Sequence, residues 1–254
     1  MIFSNRVDFQ VSGRYALFTD PVTRLGGEKA TYQLPTYQAL KGITESCYFK
    51  PTFTWVIDRV RVMKRIMTEA KHVRPINYDD GKNTLSVYTY LSEPVYQVQT
   101  HFIWNENCPE FECDRDEHKH YFIAKRMIER GGRFDIFLGT RECRGYIEPC
   151  VFGEGEGDYD NSGTMSFGLM LHGFDYPDET GRDMLSVRFW KPIMRNGVVE
   201  FPAPSECDRK LCRDIRPIKK KQFKSFSGLN ESSLISIVEE VQVNGLDECL
   251  DRNV

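Results

Sequence analysis

Between Arg6 and Phe18 the apolar residues Val7, Phe9 and Val11 alternate with Asp8, Gln10 and Ser12. A period of two predicts a strand with one face buried and the other wet. The period changes between Pro35 and Tyr48, where Leu40, Ile43, Thr44 and Cys47 recur at helical spacing behind Pro35 and Thr36, and Pro51 ends the run. Alternation returns over 54–67, with Val60 and Val62 offset from Arg59 and Arg61, and a further strand is expected over 94–104. A polar stretch over 106–115 leads to Asp116, a residue suited to capping a helix. That helix is predicted to run to Arg130 and to close on Gly131-Gly132. Short strands are expected over 135–139 and 144–148.

Strand, helix, strand, strand, helix, strand is the split βαβ order of an α+β, ferredoxin-like (RRM-like) fold, an antiparallel sheet with two helices on one face. These elements make an expected first domain over residues 1–160. The acidic, glycine-rich loop Gly153-Glu154-Gly155-Glu156-Gly157-Asp158 reads as a divide. Beyond it Phe167, Leu169 and Leu171 alternate, and Asn196-Gly197 joins two strand-like runs in the manner of a hairpin turn. A small antiparallel β domain is expected over 161–204. Residues 205–254 read as a tail, loose or partly helical over Ser232 to Val243.

A net charge of −3 and a pI near 6.0 exclude a generally basic nucleic-acid coat, so any RNA surface must be a local patch. Aromatic residues at 13% supply stacking surfaces beside those the core needs. No run of eighteen apolar residues occurs, and no apolar signal region follows Met1. The eight cysteines are scattered and read as reduced thiols, so a cytoplasmic protein away from any membrane is expected.

The densest chemical cluster is Asp116-Glu117-His118-Lys119-His120-Tyr121. At a helix N-terminus it sets two imidazoles and an ammonium beside free backbone N–H groups and the positive end of the helix dipole, a favourable seat for phosphate. RNA carries its own nucleophile, the 2′-OH. A site that removes its proton, neutralises the phosphorane and protonates the leaving 5′ oxygen therefore needs no metal. Charged first turns are commonplace, and on composition alone a solvated helix start is the favoured reading. A zinc alternative, Cys108, Cys113, His118 and His120 in a C-x4-C-x4-H-x-H series, matches none of the usual ligand spacings. Arg59, Arg61, Lys64, Arg65, Lys71 and Arg74 form a basic stretch suited to tracking an RNA backbone, or to charging an exposed strand face.

Further blocks occur in a recognisable order. They are Gly13-Arg14-Tyr15-Ala16-Leu17-Phe18-Thr19, Tyr48-Phe49-Lys50-Pro51, Trp55-Val56-Ile57-Asp58 and Glu117-His118-Lys119-His120. Glu129-Arg130-Gly131-Gly132-Arg133, Phe137-Leu138-Gly139-Thr140-Arg141-Glu142-Cys143 and Gly145-Tyr146-Ile147-Glu148-Pro149-Cys150 follow. Over about its first 205 residues the chain resembles the CRISPR-associated Cas-five family, subtype I-C (the "d" form), of the RAMP superfamily.

That resemblance implies a metal-independent, cofactor-free endoribonuclease that cleaves precursor CRISPR RNA within the repeat. It implies retention on the 5′ handle of the crRNA, beside the backbone and large subunits of the type I-C interference complex. The alternative is a non-catalytic subunit that only binds the guide. The family's catalytic trio falls on Tyr48, Lys119 and His120, with His120 as general acid/base, Lys119 as charge stabiliser and Tyr48 as orienter of the 2′-OH. RNA contacts are expected from His118, Arg59, Arg61, Lys64, Arg65, Arg133 and Arg141, a basic surface also compatible with DNA. Many relatives carry another His where this chain has Tyr121.

Overall fold

A computed structural model describes residues 5–24, 28–76, 79 and 81–220; the helix expected over Ser232 to Val243 lies outside the described residues. The chain is α+β with mostly antiparallel sheets. It begins with β1 (Val7–Gly13), β2 (Tyr15–Ala16), the single turn α1 (Pro21–Arg24), β3 (Lys29–Ala30), α2 (Tyr37–Cys47) and β4 (Phe53–Val62). Next come β5 (Thr68–Val73), β6 (Ser86–Ser92), β7 (Val95–Trp104), α3 (Glu117–Glu129), β8 (Ile136–Phe137) and β9 (Arg144–Pro149). The remainder is β10 (Thr164–Ser166), β11 (Met170–Asp175), the short α4 (Pro177–Thr180), β12 (Met184–Trp190), β13 (Ile193–Arg195), β14 (Val198–Glu200) and β15 (Cys212–Pro217).

The main sheet has eight strands in the order β10-β13-β14-β4-β7-β1-β9-β8, with every neighbour antiparallel. The alternation in β1 works as expected: Val7, Phe9 and Val11 are buried while Asp8, Gln10 and Ser12 are only half-covered. α2 packs on β4, α3 on β1 and β9, and the helices touch each other. Their apolar stripes, Leu40, Ile43 and Cys47 on α2 with Ala124 and Ile128 on α3, close the core over Phe9, Trp55, Ile57 and Phe102. Both helices start as the sequence predicts, with Thr36 accepting from the Ala39 amide at 3.1 Å and Asp116 from the Lys119 amide at 3.0 Å. Gly131 and Gly132, at φ of 82° and 101°, end α3. Gly139 has no room for a side chain, because a Cβ there would lie 2.0 Å from the Leu17 carbonyl oxygen.

Three sequence readings are redrawn. The strand expected over 54–67 stops at Val62, and β5 and β6 pair into a separate four-stranded sheet with β2 and β3. The basic stretch is thereby broken: Arg59 and Arg61 belong to the main sheet, whereas Lys71 lies over the Tyr15 ring at 3.5 Å. The block drawn over 161–204 does not stand as one small sheet. β14 pairs with β4 and carries β13 and β10 into the main sheet, while β11 and β12 pair with β15 from the expected tail. Lys191 and Pro192 separate β12 from β13 where the chain passes from one sheet to the other. The Asn196-Gly197 turn is present, both φ angles positive at 46° and 79° as a type I′ hairpin requires.

The third concerns Arg61. The loop expected to divide two domains folds over the polar face of the main sheet. There Arg61, only 6% exposed, reaches Asp160 at 2.8 Å, the carbonyls of Glu154 (3.1 Å) and Gly155 (2.8 Å), and Gln97 at 3.2 Å. A guanidinium with so many acceptors already engaged is a fastener of the fold, which corrects its expected place among RNA contacts. Arg59 beside it bonds Gln99 at 3.0 Å and lies 4.4 Å from the Phe152 ring centre. Arg61→Ala is expected to leave the part-exposed Asp160 carboxylate, Gln97 and two loop carbonyls without their shared donor and to lower stability by about 2 kcal/mol, read as a fall in urea midpoint. A midpoint within error of wild type would show that the loop is held without it.

Candidate active site

The end of α2, the start of β4 and the head of α3 meet at one place. Tyr48 is the residue on which α2 ends, and its carbonyl accepts from the Trp55 indole N–H at 2.7 Å. Its ring packs on Phe53, with centres 5.6 Å apart, and its hydroxyl is 2.8 Å from His120 Nδ1. His120, in the first turn of α3, points inward and is fully buried among the rings of Phe53, Phe102 and Trp104. Its other nitrogen, Nε2, is 2.7 Å from the Asp114 carbonyl oxygen.

Those two contacts assign the tautomer. A backbone carbonyl only accepts, so Nε2 carries the proton and Nδ1 accepts from the Tyr48 O–H. Burial holds the imidazole below its usual value, with the Lys119 and Lys50 charges adding to the effect and Asp114 opposing it, so the ring is neutral at pH 7. Burial, reinforced by the Asp114 charge, pushes the Tyr48 phenol up to about 12, while the Arg133 charge pulls the other way.

Lys119 points out. One residue along a helix turns by about 100°, so neighbours in sequence take opposite sides of the wall. Its ammonium is half-exposed and hydrogen-bonded to the Asp114 carboxylate, which raises its pKa. Burial alone would raise the Asp114 carboxyl, but hydrogen bonds from Lys119 and from Thr52 (3.1 Å) hold it below the ordinary carboxylate value. The structure therefore brings Tyr48, Lys119 and His120 together, the first and last directly and Lys119 through Asp114. Sequence reasoning missed Asp114 and Thr52; the only signal was an acid five residues before Lys119.

The other expected contacts spread outward. His118 is exposed at the helix head, and Arg133 is exposed in the turn after α3. Arg141 is exposed with its guanidinium 5.9 Å from the Phe137 ring centre. Lys64 and Arg65 are exposed in the connection after β4, Lys64 lying 3.7 Å from Glu93. The zinc alternative finds no support, since no group of three or more His, Cys, Asp or Glu side chains among the described residues is placed to hold a metal ion. Cys108 is instead fully buried and its Sγ accepts from the Asn105 side-chain Nδ2 at 3.4 Å. Among the described residues no helix is long and apolar enough to cross a membrane.

A second imidazole, His172 on β11, is buried against the Tyr37 ring with centres 4.3 Å apart, and burial beside Arg188 depresses it to about 3. Both histidines bind protons less readily folded than unfolded, where the ordinary value is 6.5. Their contribution to stability is therefore fully present above the unfolded value of 6.5 and is lost as pH falls below it, for His172 down to about 3. Urea midpoints across that window should fall steadily in wild type and less steeply in His172→Gln. Parallel pH slopes for the two proteins would contradict this.

The chain matches, over residues 7–202, the family model described as CRISPR-associated protein (Cas_Cas5), in its Cas5d form. A solved structure titled as a CRISPR-associated protein superposes with a TM-score of 0.70 at 37% identity, covering 83% of this chain and 97% of the other. A functionally uncharacterized protein from Streptococcus mutans superposes with a TM-score of 0.68 at 40% identity and the same coverage. A curated relative from Mannheimia succiniciproducens, named CRISPR pre-crRNA endoribonuclease Cas5d, is 23% identical over 229 residues, which are 78% of this chain and 96% of the relative. With the matched region running through β1, both long helices and the whole buried site, the chain belongs to the CRISPR-associated Cas5 family, in its d form.

Proposed function

We propose that this protein cuts precursor CRISPR RNA within the repeat by attack of the RNA's own 2′-OH, without a metal ion. We propose further that it stays on the 5′ handle of the crRNA beside the backbone and large subunits of a type I-C interference complex in the cytoplasm. The observation that carries this reading is the hydrogen bond from the Tyr48 hydroxyl to a neutral, buried His120, with the Lys119 ammonium around the corner of the same helix turn. The name of the Mannheimia succiniciproducens relative agrees with it. The path β1-α2-β4-β7-α3-β9 is read as a ferredoxin-like unit, a reading supported by the strand order β4-β7-β1-β9.

In this mechanism the phosphate lies at the head of α3, against Lys119 and the first-turn N–H groups. Tyr48 at a pKa of about 12 is no free base, yet its hydroxyl is already bonded to Nδ1. It passes its proton to His120 as it receives the one leaving the 2′-OH. The 2′ oxygen bonds to phosphorus, Lys119 offsets the added negative charge, and the 5′ oxygen departs with the proton returned from His120 through Tyr48. His120 has no exposed surface, so Tyr48 is its route to the RNA. His118, Arg133 and Arg141 at the rim, with Lys64, Arg65 and the less exposed Arg59, are proposed to grip the RNA backbone, a surface compatible with DNA as well.

A second reading, a guide-binding subunit without catalysis, is favoured by one observation: the Lys119 charge is already matched by Asp114. Incubation with the cognate repeat RNA separates the two. Cleavage is expected to persist in EDTA, to cease when the nucleotide before the cut is 2′-deoxy, and to fall about 10²- to 10⁴-fold in His120→Ala with RNA affinity retained. Intact RNA under all these conditions, with tight binding, would leave the binding subunit as the reading that stands.

A further inference from the structure

Asp114 lies outside the trio that the family resemblance nominates, yet it touches two of the three residues. It ends the 3-10 segment Pro109–Asp114, two residues before the Asp116 cap of α3. Its carbonyl accepts from His120 Nε2, one carboxylate oxygen pairs with the Lys119 ammonium, and the other accepts from Thr52 Oγ1 and lies 3.6 Å from His120 Nε2. Thr52 is buried and its carbonyl accepts from the Asn105 amide at 2.9 Å, so the carboxylate is tethered to the β4–β7 floor of the site.

We infer that Asp114 is the positioning residue of this site: its carboxylate is the counter-ion that Lys119 exchanges for an RNA phosphate, and its carbonyl locks the tautomer by which His120 serves Tyr48. The inference rests on the reading of the site as one for RNA and specifies how the empty site is kept in order. Without RNA, the carboxylate holds the half-exposed ammonium in a defined place. When a phosphate arrives, Lys119 moves its hydrogen bond from carboxylate to phosphate. The carboxylate keeps Thr52 and comes to face His120 alone, where its charge favours the protonated ring formed as the 2′ proton is taken.

The charged and titratable groups facing His120 from the elements around it are few. Tyr48 and Lys50 come from the end of α2, Asp114 from the 3-10 turn and Lys119 from α3, while β4 and β7 present only the rings of Phe53, Phe102 and Trp104. Asp114 is the acid among them. Its loss therefore acts on His120 in one direction, downward.

The test compares wild type, Asp114→Asn and Asp114→Glu in the full chain, with melting temperature recorded for each. Three quantities are read: the His120 titration by ¹⁵N NMR without RNA, affinity for repeat RNA blocked by a 2′-deoxy nucleotide, and the cleavage rate of unblocked RNA. In Asp114→Asn the His120 midpoint should move to lower pH by about half a unit. Blocked RNA should bind roughly threefold tighter as Lys119 is released, and cleavage should slow about tenfold. Asp114→Glu should restore the titration and the affinity toward wild type. In a Lys119→Gln background, Asp114→Asn should no longer tighten binding. An unmoved His120 midpoint, weaker binding, or tightening that survives in the Lys119→Gln background overturns the inference. Absence of cleavage in every variant would sink the endoribonuclease reading alone, because titration and blocked-RNA affinity decide this one without any cutting. Should Asp114→Asn melt too low to assay, Thr52→Val loosens the same carboxylate with both charges kept, and an unchanged affinity and His120 midpoint there count against the role.

Discussion

An imidazole with no exposed surface and a fixed partner on each nitrogen is the constraint around which this protein is arranged. His120 costs stability if protonated where it sits, so everything packed on it, from Phe53 to Trp104, depends on its staying neutral. The hydrogen bond from Tyr48 and the one to the Asp114 carbonyl satisfy both nitrogens, and in doing so they couple the end of one helix to the beginning of the other. Core packing and chemistry thus share the same ring. The aromatic cluster keeps the ring neutral, which leaves Nδ1 free to accept the Tyr48 hydrogen bond.

The two faces of the main sheet divide the work. One carries the helices and, at their meeting point, the buried pair. The other carries Arg59, Arg61, Gln97 and Gln99 and is roofed by the loop over 151–160, whose carbonyls and Asp160 take up the Arg61 guanidinium. The roof covers part of that second face, while Arg133 is exposed in the turn after α3 and Arg141 in the connection between β8 and β9. A further ion pair, Lys41 with Glu179, anchors the short α4 to α2 from the opposite end, with Lys41 almost wholly buried.

Where a local rule decides an element, the sequence is readable. Asp116 and Gly131 bracket α3 because capping groups act within one turn, and Asn196-Gly197 marks its hairpin because few residues accept both positive φ angles. The pairing of β5 with β6 and of β12 with β15 escaped, since register between distant strands leaves no trace in either segment alone. Arg61 was misplaced for a similar reason: a charge is visible in the sequence, while the loop that covers it arrives from 93 to 99 residues away. Lys119 and His120 were legible as a chemical cluster, but their opposite orientations depend on which stripe of α3 meets the sheet. Tyr48 came only through family resemblance. Asp114 stands among Glu112, Asp116 and Glu117, and nothing in the order of those letters says which acid turns inward.

Tyr48 is held at both ends, its hydroxyl by His120 and its carbonyl by the Trp55 indole seven residues on. Between them the chain must leave a helix, turn at Pro51 and enter β4 with Phe53 already facing the imidazole. The number of residues in that passage is therefore as much a part of the site as any side chain. One residue more or fewer would rotate Tyr48 by about a quarter of a helical turn or flip Phe53 to the far side of the sheet. In this chain, then, the two bonds on Tyr48 fix the length of the passage to Trp55.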